Sequence, residues 1–183
     1  MCLTKKRDKS IKGRMACDGA PTREWLGQEE SASPAAAQES TMSLAVVDAH
    51  ERQDAMTSDV PNAFIQAALK CNDGDKCTIV KIAGVLVDML LADNPVLHEG
   101  HVVCENGKKV LHVAVLRAIC GMLISALLWH AKLRKDLEEN GFAFNPCDAC
   151  AASKMVNKKQ QTVRFHVDDV MSSHVNAKVN DNF

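Results

Sequence analysis

Phe165-His166-Val167-Asp168-Asp169-Val170-Met171 is an apolar, β-branched run broken at its centre by two adjacent carboxylates. Successive side chains of a strand point to opposite faces, so neighbouring aspartates cannot share a face in mid-strand. They can converge if the pair sits at a tight hairpin turn, where Asp is at home. A hairpin with carboxylates at its tip suits Mg²⁺, which takes hard oxygen ligands and commonly uses one or two carboxylates. The same residues also read as an ordinary solvated β-turn.

Working outward, a second stretch about a hundred residues earlier has a related shape: Thr57-Ser58-Asp59-Val60-Pro61-Asn62-Ala63-Phe64. A carboxylate ends a β-like segment, and an aromatic follows at the start of a helix. Asp59 at a strand-to-helix junction also reads as an N-cap, and Phe64 also reads as a core aromatic. Further back, residues 1–14 carry Lys5, Lys6, Arg7, Lys9, Lys12 and Arg14 against a single Asp8. Such a run is either a solvated tail or a hairpin whose cations hold phosphate.

Between these stretches the pattern predicts helices and short strands. Residues 16–30 read as loop, and a Pro-led helix follows over 33–50. A helix starts at Asn62, 71–76 form a polar turn, 80–82 a strand and 85–91 a helix. Asn106-Gly107 between two apolar runs is a strong hairpin signal. The longest helical stretch is 116–139, with Leu123, Leu127, Leu128, Ala131, Leu133 and Leu137 at helical spacing and a stop at Asn140-Gly141. Residues 155–159 then turn into the strand that delivers the aspartates.

The 183 residues, 46% hydrophobic and 25% charged, describe an ordinary globular chain. A net charge of −1 supplies no whole-protein attraction for nucleic acid, so any such affinity is local. The basic start leads into polar sequence rather than an apolar core, so no secretory signal is expected. The longest apolar run, 118–129, is too short to span a bilayer. A non-secreted, soluble protein without a membrane partner is the expectation. Its 8 cysteines then read mostly as buried thiols. Cys147-x-x-Cys150 has zinc-knuckle spacing, but no second pair follows at finger spacing; a Cys/His metal-binding module of Cys147, Cys150, His166 and His174 stays open as an alternative.

The order Asp-Val-x-x-Ala-Phe at 59–64, then Val-Asp-Asp at 167–169, resembles the palm of a reverse transcriptase, and the segments between resemble specifically that of copia-type LTR retrotransposons. Ile11-Lys12-Gly13-Arg14-Met15 is similar to the Lys-x-Arg segment of the fingers. Leu116-Arg117-Ala118-Ile119-Cys120-Gly121 stands where the family carries Lys-Ala-Leu-Tyr-Gly. Gly141-Phe142, Pro146 and Asp148 follow its Gly-Phe…Pro…Asp wording. The likeness runs in order from Lys5 to about Lys178.

The resemblance implies an α+β fold: a fingers-like segment over 1–50 and a partial palm over 51–183, with helices on one face of an antiparallel sheet and the thumb missing. It implies RNA-directed DNA polymerase activity on an RNA/DNA primer-template and dNTP, with two Mg²⁺ ions or Mn²⁺ as substitute. Asp59, Asp168 and Asp169 would be catalytic and metal-holding, with the Val60 carbonyl assisting. Arg14, Lys12 and Lys6 would meet the triphosphate, and Phe64 would be the steric gate under the sugar. The implied setting is a retroelement polyprotein fragment, in cytoplasmic virus-like particles or the nucleus.

Departures from the family wording accompany this. His166 and Cys120 stand where the family has tyrosine, and the chain contains no tyrosine. Ile124 and Ser125 replace its polar residue near the nucleotide. A decayed or hypermutated copy is therefore expected. One alternative is a non-catalytic nucleic-acid-binding remnant.

Overall fold

The computed structural model describes residues 2–69 and 77–183, with side chains placed for all of these except Cys2, Leu3, Lys12, Arg14 and Gln28. The elements begin with a hairpin of β1 (Cys2–Lys5) and β2 (Ile11–Arg14), then helix α1 (Gln28–Ser31) and helix α2 (Gln38–Glu51). Strand β3 (Asp54–Asp59) and a single helical turn α3 (Ala63–Gln66) follow. Next come β4 (Ile79–Ala83), α4 (Val85–Asp93), α5 (Pro95–His98), β5 (Val102–Glu105) and β6 (Lys108–Ala114). The last elements are α6 (Ser125–Glu139), β7 (Ala143–Asn145), β8 (Asp148–Val156), β9 (Lys159–His166), β10 (Asp169–His174) and α7 (Ala177–Asp181). The polar turn expected over 71–76 lies outside the described residues. Among the described residues, no helix is long and apolar enough to cross a membrane.

The fold is mixed α+β with antiparallel sheets, in two compact units: Met1–Ala67 with Ala118–Phe183, and Ala68–Arg117. In the first, a five-stranded antiparallel sheet has the order β3-β10-β9-β8-β7. Strand alternation puts Val163 and Phe165 of β9 on one face, where they join Trp129, Leu133 and Leu137 of α6, and Phe142. The three α6 residues are four apart and line one stripe of the helix. Burying each such side chain contributes about 1.5–3 kcal/mol. Gly141 at φ +83 ends the helix, and the Phe142 N–H donates back to the Leu137 carbonyl at 3.0 Å.

Helix α6 starts at Ser125, not at 116 as the periodicity predicts. The reason is a tertiary contact. Gly121 has φ +90 and packs so closely on the 17–19 segment that a Cβ would lie 2.0 Å from the Cys17 carbonyl oxygen. The Cys17 N–H donates to the Cys120 carbonyl at 2.8 Å. A left-handed glycine inside the apolar run breaks the helix that local preference favours. Likewise α2 begins at Gln38 rather than 33, because 32–37 stay irregular, with the Ser33 hydroxyl donating to the Ala126 carbonyl.

Helices lie on both faces of this sheet, where one face was expected. Arg164 alternates with Val163 and Phe165 and so points away from α6. Its Nη1 donates to the Thr41 carbonyl of α2 at 2.6 Å, and its guanidinium faces Asp48 at 3.8 Å. Both charged residues are 8% exposed. At the sheet end remote from residue 167, a buried polar chain ties β9 and β10 to α7 and β3. Gln161 donates to Ser172, Ser172 donates to Asn180, and Asn180 donates to the Asp54 carbonyl, all at 2.8–2.9 Å.

The second unit is a three-stranded antiparallel sheet, β4-β6-β5, carrying α4 and α5. Asn106 and Gly107, at φ +48 and +74, make the two-residue turn between β5 and β6. Val87 of α4 is fully buried, and Lys109 pairs with Asp88 at 2.8 Å.

Candidate functional site

Strand β9 ends at His166 and β10 begins at Asp169, and these two residues are paired. Val167 and Asp168 are therefore the whole turn. Val167 has φ +58 whereas Asp168 keeps a negative φ, the pattern of a type II′ turn. Glycine is the usual occupant of that first position, and a β-branched residue there is strained by roughly 1–3 kcal/mol. Surrounding bonds hold it. The buried Trp129 indole N–H donates to the Val167 carbonyl at 2.6 Å, and the Val60 N–H donates to the Asp168 carbonyl at 2.8 Å. The Val167 side chain packs on the core beside Val60 and Phe64.

On the other side of β10, Asp169 is paired with Asp59, the last residue of β3. Directly paired residues share a face, so His166, Asp169 and Asp59 form a row across three strands. Asp168 sits beside that row in the turn. All three carboxylates are exposed. Among the described residues none of them is in an ion pair. Two carboxylates directly opposite repel, at a cost within the roughly 0.2–1 kcal/mol of a cross-strand pair. Such a pair fits a hard divalent cation that keeps several waters and takes one or two protein carboxylates together with substrate phosphate. A closed cage is absent: among the described residues, no three His, Cys, Asp or Glu side chains gather to hold an ion.

The electrostatics carry their own test. Asp169→Asn is expected to raise stability by about 0.5 kcal/mol in chelator, because it removes the like-charge pair. Thermal unfolding with and without Mg²⁺ checks it. The parent should gain melting temperature with Mg²⁺ and the variant should not; equal gains in both would show that the pair holds no cation.

The other residues singled out from the sequence are spread more widely. Lys6 is exposed in the turn of the β1–β2 hairpin, where Asp8 accepts from the Ser10 N–H and hydroxyl. Those bonds hold the Asp8 carboxyl below its usual range. Lys12 and Arg14 belong to β2, but their side chains lie outside the described residues. Val60 and Phe64 are half-buried against the core.

The alternative quartet is not brought together. Cys147 and His166 are exposed, whereas Cys150 and His174 are buried. His174 closes β10 five residues from Asp169, about 17 Å along the strand from the His166 end. Burial, with Asp148 nearby, pushes the Cys150 thiol up from 9.0 to about 11. The folded chain keeps this thiol protonated where the unfolded chain ionises, so its contribution to stability is present below pH 9 and is lost as pH rises towards 11. At pH 8 a thiol reagent is expected to modify Cys147 rapidly and Cys150 only on unfolding, as peptide mapping would show.

No family model, curated protein or solved structure matches this chain.

Sequence reasoning missed Trp129, whose indole holds the turn. A tryptophan closing the apolar run 118–129 inside a predicted helix was the available signal, but only its partner carbonyl, 38 residues away, gives it a role.

Proposed function

We propose that this chain carries the palm, with a fingers-like segment, of a copia-type retrotransposon reverse transcriptase, an RNA-directed DNA polymerase. The observation that carries the reading is the two-residue Val167–Asp168 turn, with Asp169 opposite Asp59 at the end of an antiparallel sheet. It supports the reading because the ordered family wording and the register converge on the same carboxylates.

In this reading Asp59, Asp168 and Asp169, with the Val60 carbonyl, hold Mg²⁺ or Mn²⁺. When bound, the ions lower the pKa of the primer 3′-hydroxyl and neutralise charge on the triphosphate. The protein's own part is positioning. The Trp129 indole and the Val60 N–H fix the turn and so aim the carboxylates, with no covalent intermediate on the enzyme. Phe64 limits space under the sugar, and Lys6, Lys12 and Arg14 neutralise phosphate. Primer-template and dNTP are the substrates, and the setting is a retroelement polyprotein in virus-like particles or the nucleus.

Primer extension on an RNA template tests this. Mg²⁺-dependent extension that Asp168→Asn abolishes is the expected result; folded protein that extends no primer would refute the enzymatic reading. A second reading, a non-catalytic nucleic-acid-binding remnant, is favoured by His166 and Cys120 standing where the resembled family has tyrosine. It predicts salt-sensitive primer-template binding that is indifferent to Asp168→Asn.

A further inference from the structure

At the end of the sheet remote from the aspartates, a groove of about 370 Å³ opens between the β8–β9 turn and α7. Its polar lining is Lys154, Asn157, Gln161, Asn176, Lys178 and Asn182. Lys154 and Gln161 are paired residues on the α6 side of the sheet, opposite the face that carries Asp59 and Asp169. The groove is thus separate from the carboxylate site by both end and face.

Two features define what it can take. The first is uncompensated positive charge. Among the described residues neither Lys154 nor Lys178 is in an ion pair, and Lys154 is steadied with its Nζ 4.3 Å from the centre of the Phe142 ring. Lysine ammoniums are point-charge partners for phosphate. The second is spare amide capacity. Gln161, 2% exposed, uses its Nε2 on Ser172. Asn176 uses its Oδ1 on the Lys178 N–H, and Asn182 uses its Nδ2 on the Lys178 carbonyl. The opposite atom of each amide has no bond among the described residues. Amides offering both donors and acceptors match hydroxyl groups, which are both. Among the described residues no aromatic side chain lines the groove, so these offer no platform for stacking a base.

We propose that this groove binds a phosphorylated ribose, with the phosphate between Lys154 and Lys178 and the sugar hydroxyls on the amides. The volume falls in the range of small-molecule sites. The shared chemistry belongs to free ribose phosphates and to the backbone of RNA alike. The proposal does not rest on the polymerase reading.

Calorimetric titration of the full chain with ribose 5-phosphate, inorganic phosphate and ribose tests it. Ribose 5-phosphate should bind about tenfold more tightly than either part, and Lys178→Gln should weaken it about tenfold, the size of one charge-assisted hydrogen bond. Lys154→Gln should do the same while Lys154→Arg keeps binding, which separates charge from any loss of fold. A short oligouridylate that competes with ribose 5-phosphate identifies the RNA backbone as the source; one that does not compete identifies the free sugar phosphate. Ribose 5-phosphate binding no tighter than phosphate, or unchanged by Lys178→Gln in folded protein, overturns the proposal.

Discussion

Arg164→Met is expected to remove roughly 3–5 kcal/mol of folding stability, the cost of leaving a buried charge without its partner. Asp48 is 8% exposed, and its Oδ2 has no hydrogen bond, so Arg164 at 3.8 Å is its compensating charge. The substitution also removes the side-chain donor that ties the Thr41 carbonyl of α2 to the sheet. Methionine keeps most of the aliphatic volume, so cavity formation is a minor part of the effect. The companion variant Arg164→Met with Asp48→Leu should recover most of the loss, because a buried ion pair replaced by apolar residues is often neutral. Urea unfolding of the parent, both single variants and the double variant forms a cycle that isolates the pair. A loss below about 1 kcal/mol for Arg164→Met would mean that water reaches Asp48 and that α2 is not anchored here.

What was legible in the sequence was mainly local. Asn106-Gly107 reads as a hairpin because only a two-residue turn with positive φ fits that pair, and the structure has it. Asn140-Gly141 reads as a helix stop for a similar reason. That a hairpin breaks the Val-Asp-Asp run was legible, but its two turn residues are Val167 and Asp168 rather than the aspartate pair, and Asp169 is already the first residue of β10. The residues that set long-range contacts were not legible. The 116–124 segment has helical periodicity, yet Gly121 packs on the Cys17 backbone and breaks it. Arg164 reads as a polar interruption in an apolar strand until Asp48, 116 residues earlier, is seen beside it. The Asp59–Asp169 register also needs the sheet order, which places β3 beside β10 rather than beside its sequence neighbours.

Trp129 is the second position with a large expected effect, and it joins the core to the aspartate turn. Trp129→Ala should cost about 3–5 kcal/mol, as deletion of a buried aromatic does. Trp129→Phe is the sharper test. It keeps most of the packing against Val163 and Phe165 but leaves the Val167 carbonyl without the indole donor, an expected loss of about 1–3 kcal/mol. The lost bond is one of two that hold the turn while Val167 sits at φ +58. Val167→Gly removes that strain but adds chain entropy and loses a half-buried side chain, so alone it should change stability by less than about 1 kcal/mol. In the Trp129→Phe background the same glycine should be more favourable by at least about 0.5 kcal/mol, because the strained turn has lost its restraint. Additive effects in that cycle would mean that the indole bond does not constrain the turn. Coupling, together with a weaker Mg²⁺-dependent rise in melting temperature for Trp129→Phe, would show that the core sets the aim of the carboxylates through this one hydrogen bond.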